Sequence, residues 1–357
     1  MADDTLIDLL LSRRAEMARL SSPDRFSGAV VAVTGAGGSI GSEICRRLAP
    51  LRPRLLLLIG HGERSLFAIA QELSEEEHFP DFRIVLADVA DAGLIDWTFQ
   101  LYRPDIVIHT AAHKHVPIVE QNIAEAARTN VLGAYVVAQC AARCGAGDAL
   151  LLSTDKAVHP VNVLGLTKLA AETIWRNGPA DQSRFTTMRF GNVLGSRGSV
   201  LEVFQRQLAR GVPLSLTDRR MRRFFSTVGE CASWILRAIE LAEPNRLFVL
   251  DSGEEIAILT IAQRLLAAAG DDRHAIVETG IRAGEKLGEQ LLSEQERSAA
   301  VLEGSLLIVD RPAWRGDLNS AIDALSESIR SQNDASVLSA LARFAPIEPS
   351  SAMKAAR

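Results

Sequence analysis

Aromatic side chains are scarce, at 5% of the chain, and tyrosine occurs only twice, as Tyr102 and Tyr135. With hydrophobic residues at 47%, the core must therefore be built from aliphatic side chains. Cysteine is rare too. Cys45, Cys140, Cys144 and Cys231 have no zinc-ligand partners at the usual spacing, and no metal site is expected. Cys140 and Cys144 share a helix face and read as small buried thiols. Long apolar runs are missing: the longest aliphatic stretch, Leu55 to Ile59, is far short of the ~20 residues a membrane helix needs. Neither sign of charge dominates, and a net charge of -5 leaves no electrostatic footprint for nucleic acid. The acidic start, Met-Ala-Asp-Asp, does not resemble a secretory signal. These absences lead to the expectation of a reduced, cytoplasmic protein with no membrane segment and no nucleic-acid partner.

What is present is alternation. A length of 357 residues suggests two domains, or one large α/β unit with an added lobe. Leu6, Leu9, Leu10 and Met17 among charges predict an outer helix over 3–20, ended by Ser21, Ser22 and Pro23. Short apolar strands follow at 29–33, 54–59, 83–86, 105–109 and 149–153. Helices are predicted at 42–48, 65–73, 90–101, 123–144 and 166–177. This order indicates a doubly wound parallel sheet of the Rossmann type, an α/β fold. Past about residue 190 the pattern loosens, with a strand at 246–250 rejoining the sheet, a helix at 256–269 and a strand at 276–279. The expected organisation is an N-terminal helical extension at 1–27 and a nucleotide-binding domain at 28–190, rejoined by about 224–252. A smaller C-terminal substrate-binding lobe comprises 191–223 and 253–347, and a flexible tail 348–357.

The first strand runs into Thr34-Gly35-Ala36-Gly37-Gly38-Ser39-Ile40-Gly41. Gly35, Gly38 and Gly41 form a spacing variant of the dinucleotide fingerprint. Its glycines allow a tight turn, close approach of backbone to a pyrophosphate and close helix–strand packing. Ser39 and Ile40 open the next helix, whose free amides and partial positive charge face the phosphates. A nicotinamide dinucleotide is the expected cofactor. Asp88 and Val89 follow the third strand, where a carboxylate can accept from an adenine amino group; a helix cap is an equally open reading of Asp88. Ala111 and Ala112 end the fourth strand and leave room beside the cofactor.

The fifth strand runs into Ser153-Thr154-Asp155-Lys156-Ala157-Val158-His159-Pro160, at the sheet edge where open α/β folds bind ligands. An adjacent Asp and Lys there can serve as acid and base, or form an ion pair with no chemistry. The cluster Arg219, Arg220, Arg222 and Arg223 can likewise be a solvated turn or a phosphate receptor.

With these residues in view, the sequence resembles the bacterial polysaccharide-biosynthesis nucleotide-sugar 4,6-dehydratases, extended short-chain dehydrogenase/reductases that act on UDP-N-acetylglucosamine. The resemblance covers about residues 5–305. It rests on Thr34–Gly41, Ala111–Pro117, Ser153–Val158, Arg189–Val200, Met221–Phe225 and Arg282–Lys286. It implies a form without the membrane domain that precedes this unit in many members. It also implies oxidation at sugar carbon 4, loss of water across carbons 5 and 6, and return of the hydride to carbon 6. By the same resemblance, Lys156 matches the base at carbon 5 and Asp155 the acid at the departing hydroxyl. Thr154 matches the hydroxyl at the carbon 4 oxygen, and Lys168 the lysine on the nicotinamide ribose. Lys114, His115, Asn192 and Arg197 fall on the substrate side. Arg223 and Arg282 could clamp the diphosphate, and Glu285 could accept from the nucleotide ribose. Relatives commonly pair through helices beside the active-site strand, so a homo-oligomer is expected.

Three departures stand out. The tyrosine of the usual Tyr-x-x-x-Lys is Leu164, so another group must take the carbon 4 proton, and Leu164 is left to shape the substrate pocket. The segment His159-Pro160-Val161-Asn162 replaces the usual Asn-Pro-Thr-Asn. The second strand ends in Gly60 where an acid normally reads the adenosine ribose, while Arg64 nearby could meet a 2′-phosphate, so NAD or NADP is expected. An epimerase or 4-oxidoreductase of the same superfamily, and a non-catalytic cofactor sensor, remain as alternatives.

Overall fold

In the computed structural model, residues 4–178, 183–271 and 274–344 are described. The chain order begins α1 (Asp4–Leu11), β1 (Val30–Thr34), α2 (Ser39–Leu48), β2 (Leu55–Gly60), α3 (Glu63–Glu75), β3 (Phe82–Leu86), α4 (Ala92–Tyr102) and β4 (Ile106–His109). Short helices α5 (Val116–Val119) and α6 (Ile123–Ala127) lead to α7 (Gly133–Cys144), β5 (Asp148–Thr154), α8 (Val163–Arg176) and β6 (Arg184–Phe190). Next come β7 (Asn192–Leu194), α9 (Val200–Ala209), β8 (Leu214–Leu216), β9 (Arg222–Arg223), β10 (Phe225–Thr227), α10 (Val228–Glu240) and β11 (Arg246–Leu250). The described chain ends with β12 (Ile256–Ala257), α11 (Ile258–Ala269), β13 (Ile276–Glu278), α12 (Glu294–Ala299), β14 (Val301–Glu303), β15 (Leu306–Asp310), α13 (Leu318–Arg330) and α14 (Asp334–Ala342).

Nine strands form one sheet in the order β14-β15-β11-β6-β5-β4-β1-β2-β3, with all pairs parallel except β11–β15 and β15–β14. Its central strands are unbroken apolar runs because both faces are covered. Helices α2, α3 and α10 bury Ile44, Leu48, Leu66, Ile69, Ile235 and Ile239 on one face. Helices α4, α6, α7, α8, α13 and α14 cover the other. Strand order reverses between β1 and β4, which opens a crevice at their carboxyl ends. A separate apolar cluster joins α1, α9, α11, β8 and β10 into the smaller lobe, through Leu10, Phe204, Leu214, Phe225 and Ile261.

The structure departs from the sequence reading in four places. The leading helix ends at Leu11, and Ser12 takes a left-handed φ of 53°. The following strap has no helical hydrogen bonds because α10 satisfies its backbone: Glu16 donates its amide to Glu230, Ala18 to Ser233, and Ser21 and Ser22 to Glu240. The helix expected over 123–144 is interrupted by a π-turn at Arg128–Leu132. The helix expected from 256 starts at Ile258, since Ile256 and Ala257 pair with β9. The expected lobe segment 253–347 is divided. From Val301 onward the chain returns to the sheet through β14 and β15, and α13 and α14 then bury Ile322, Leu325, Val337, Leu341 and Phe344 against the α6–α8 face. Helix α14 thereby packs on α8 as well as on α6. The proposed tail at 348–357 lies outside the described residues.

Behind β5 a buried carboxylate gathers four donors. Glu172 on α8 accepts from Ser153 Oγ at 2.6 Å, from Arg189 at 2.7 and 2.6 Å and from Arg311 at 2.8 Å. Burial raises the Glu172 carboxyl, but Arg189 and Arg311 more than offset this and hold it at about 2. Its stabilising share is full above the ordinary carboxyl value of 4.5 and is lost as pH falls toward about 2. Glu172→Gln, which leaves two buried guanidinium groups short of a counter-charge, should cost about 3–5 kcal/mol by urea unfolding at neutral pH. A cost under about 1 kcal/mol, the level of a surface pair, would refute this role.

Candidate active site

The glycine segment leaves β1 as a tight turn. Gly35 has φ +68°, and a Cβ there would sit 2.8 Å from the amide nitrogen of Ala111, so the turns after β1 and β4 interlock. A Cβ on Gly41 would strike the carbonyl of Gly35, which explains why α2 can start so close to the strand. Gly38 caps α2 without a side chain. Thr34 and His109 share a buried hydrogen bond of 2.7 Å beneath this turn, and burial, then the charge of Lys168, push His109 down to about 3.

A cavity of about 550 Å³ opens at the crevice, walled by Gly38, Ser39, Ile40 and Gly41 on one side. Facing them are Ala112, Lys114, His115, Thr154, Lys156, Leu164, Lys168, Asn192 and Arg197. Backbone amides at a helix N-terminus, with glycines where a Cβ has no room, suit the pyrophosphate of a dinucleotide. Outside this wall, Asp88 accepts from the Ala90 amide at 2.9 Å and pairs with Arg128. Val89 turns its side chain into the core, where it packs on Gly133. Arg64 is exposed at the start of α3, after Gly60.

Opposite the glycines, β5 ends at Thr154 and the chain turns through a 3-10 segment, Asp155–Ala157. Asp155 is fully buried. Its Oδ1 accepts from Thr154 Oγ1 at 2.8 Å and from Lys156 Nζ at 3.0 Å, while Oδ2 has no hydrogen-bond partner among the described residues. Lys156 also donates to Asn192 Oδ1 at 3.1 Å. Leu164 and Lys168, one helical turn apart on α8, both reach the cavity. Lys168 donates to the Leu152 carbonyl at 2.5 Å, and burial, opposed by Glu172, pushes its amine down to about 8.

The loop after β7 crosses toward the glycine turn. Arg197 donates its amide to Ser39 Oγ at 2.9 Å and its guanidinium to the Gly37 carbonyl. Lys114 reaches Ser196 Oγ at 3.2 Å, and burial and Arg197 lower its amine. Gly198, at φ +69°, has no room for a Cβ beside the His115 ring. Lys114, Lys156, Lys168 and Arg197 thus place cationic groups around one cavity in a chain of net charge -5, an arrangement suited to a phosphorylated ligand.

Other expected binders lie elsewhere. Arg223 is buried and spends its donors on the carbonyls of Arg222, Lys286 and Leu287, so it holds a neighbouring segment instead of the cavity wall. Arg282 and Glu285 form a turn of their own, Arg282 N to Glu285 Oε2 at 3.1 Å, also off the wall. Two residues escaped the sequence reading. Asn130 in the π-turn holds the backbone of His113 from both sides and bonds Thr167. Glu289 is buried 4.0 Å from Lys156. Neither stands at a spacing that distinguishes it from an ordinary polar residue.

The family described as "Polysaccharide biosynthesis protein" matches residues 31–310. The chain belongs to this family. Among relatives, EpsC of Bacillus subtilis, described as a probable polysaccharide biosynthesis protein, is 42% identical over 294 residues. That match takes in 81% of this chain and 49% of EpsC, so the chain spans about half the length of that relative. A UDP-N-acetylglucosamine 4,6-dehydratase (inverting) of Campylobacter jejuni is 34% identical over 76% of this chain and 79% of its own. Among solved structures, Pen from Bacillus thuringiensis superposes with a TM-score of 0.75 at 27% identity, covering 81% of this chain and 91% of that one. The polysaccharide-biosynthesis family here carries the extended short-chain dehydrogenase/reductase fold.

Lys168 should titrate near 8, its charge present below that pH and lost as pH rises through it. Competitive amine labelling of the ligand-free protein, read by mass spectrometry, measures this directly. A midpoint at or above the ordinary lysine value of 10.5 would contradict the burial argument.

Proposed function

We propose that the protein is a nucleotide-sugar 4,6-dehydratase acting on UDP-N-acetylglucosamine with NAD or NADP. The observation that carries this reading is the buried Asp155, in contact with both Thr154 and Lys156 across the cavity from the glycine cradle. The name of the Campylobacter relative supports the substrate.

Gly38, Ser39, Ile40 and Gly41 would hold the dinucleotide's pyrophosphate, and Lys168 its nicotinamide ribose. When bound, the dinucleotide supplies a site that takes hydride from carbon 4 and returns it to carbon 6. The Lys156–Asp155 pair, in contact at 3.0 Å, enters the cycle one proton short, as a free amine beside a carboxylate. As hydride leaves carbon 4, the hydroxyl proton passes through Thr154, whose Oγ1 donates to Asp155 at 2.8 Å, and makes Asp155 the carboxylic acid that elimination needs. Lys156 removes the carbon 5 proton, acidified by the neighbouring ketone, while Asp155 protonates the departing carbon 6 hydroxyl. Lys156 then returns a proton to carbon 5. Lys156 is then again a free amine and Asp155 again a carboxylate, so the protons balance over one cycle, with Thr154 carrying the relay that a tyrosine would carry in place of Leu164. Leu164 shapes the pocket by apolar contact.

Asp155→Asn and Lys156→Ala should each lower dehydration by about 10²–10⁴-fold. Dinucleotide binding, followed by fluorescence titration, should stay intact. Product mass separates the alternatives, since dehydration loses one water, epimerisation changes no mass and a sensor gives no product. Near-normal turnover in both variants would sink the assignment. Gly60→Asp should shift preference toward NAD, because the new carboxylate repels a 2′-phosphate. The position accepts a side chain, since a Cβ there would come no nearer to a neighbour than 3.5 Å, from a Leu66 methyl. Equal affinity changes for NAD and NADP would contradict it.

A further inference from the structure

The segment between β13 and α12 belongs to the smaller lobe, yet it reaches the end of β5. It is fastened there at several points. Asn162 donates to the Gly284 carbonyl at 2.8 Å, Lys286 to the Val158 carbonyl at 2.9 Å, and Arg223 to the Lys286 carbonyl at 2.8 Å. The Arg222 amide donates to the Leu287 carbonyl at 2.9 Å. This anchoring places Glu289, with 3% of its side chain exposed, behind the cavity wall.

Its carboxylate lies 4.0 Å from Lys156 Nζ through Oε1 and 3.3 Å from Lys286 Nζ through Oε2. Oε2 makes no hydrogen bond of good geometry. A carboxylate so deeply buried is costly unless a charge answers it. Lys286 and Lys156 are the cations within reach. The result is a row of alternating charges, Asp155, Lys156, Glu289 and Lys286, in which the first pair comes from the Rossmann unit and the second from the lobe.

We infer that Glu289 is a positioning residue for Lys156: it helps fix the amine from the lobe, while Asp155 holds it from the end of β5, and it balances the amine's charge across the lobe boundary. This rests on the dehydratase reading for its consequence in turnover, though not for the contact itself. Among the described residues, the Lys156 amine has three polar side-chain neighbours, Asp155, Asn192 and Glu289. With Asp155 alone its position would be set by the end of β5; the charge of Glu289 adds a second point of attachment on the lobe.

The test uses Glu289→Gln and Glu289→Asp in the full chain. Competitive labelling of Lys156, with Lys114 as internal reference and no ligand present, reads the contact. In Glu289→Gln, loss of one nearby opposite charge should speed Lys156 labelling about tenfold, and in Glu289→Asp labelling should stay near the wild-type rate. With UDP-N-acetylglucosamine, kcat should fall about 10²-fold in Glu289→Gln while KM is little changed, and Glu289→Asp should recover part of it. Unchanged Lys156 labelling in Glu289→Gln overturns the inference. So does a fall confined to KM, or a loss of melting temperature with kcat intact. If the wild-type chain dehydrates no such substrate, the functional reading falls, and labelling still decides the contact.

Discussion

The carboxylate of Glu172 is the point on which one wall of the cavity is hung. It sits fully buried under β5, and its four hydrogen bonds reach three other parts of the chain: the last turn of β5, strand β6 and the residue after β15. Arg189 carries the network on to Glu296 in α12 at 2.8 Å. Ser153, one of the four donors, immediately precedes Thr154, Asp155 and Lys156. The same helix that bears Glu172 bears Leu164 and Lys168. A pair of buried charges rarely adds net stability over a well-packed apolar core, but it penalises every arrangement that leaves a charge unanswered. Here that penalty sets the register of strand end against helix, and so the placement of Asp155 and Lys156 relative to Lys168.

The cavity is then defined by two rigid walls of different chemistry. The glycine wall offers backbone amides and no side-chain bulk, so it recognises charge and shape. The β5–α8 wall offers functional groups with fixed neighbours. The loop carrying Arg197 leans from one to the other, bonding Ser39 and Gly37. Cationic side chains converge on the gap although the chain as a whole is acidic, so the attraction for an anionic ligand is local.

Much of this was legible because it is local in sequence. The strand–glycine–helix segment is contiguous, and Gly38 and Gly41 answer to Gly35 within it, although Gly35 itself answers to the distant Ala111. Thr154, Asp155 and Lys156 are adjacent, and Leu164 and Lys168 share a helical face. What could not be read depends on distant pairing. Val301–Glu303 and Leu306–Asp310 are short and partly exposed, so nothing in their periodicity announces an antiparallel return to a parallel sheet. Arg223 reads as a phosphate ligand in a basic cluster, yet its burial is set by carbonyls about sixty residues further on. Glu289 gains its meaning only from Lys156, which the fold brings to it. The leading strap reads as helix because its apolar residues recur suitably, whereas its backbone partners are side chains of α10.

That strap has an evolutionary consequence. Helix α10 grips it through main-chain groups: Glu230, Ser233 and Glu240 accept from its amides, and the Trp234 indole donates to the Glu16 carbonyl at 2.9 Å. Such recognition is blind to the side chains that point outward, though Ala18 and Leu20 pack on the core and Ser21 Oγ accepts from Arg237 at 2.8 Å. Exposed positions such as Glu16 and Arg19 can therefore drift between species so long as no proline removes a gripped amide, while the constraint falls on α10. Two segments in contact would then evolve at different rates, and the slower one would be the partner that does the holding.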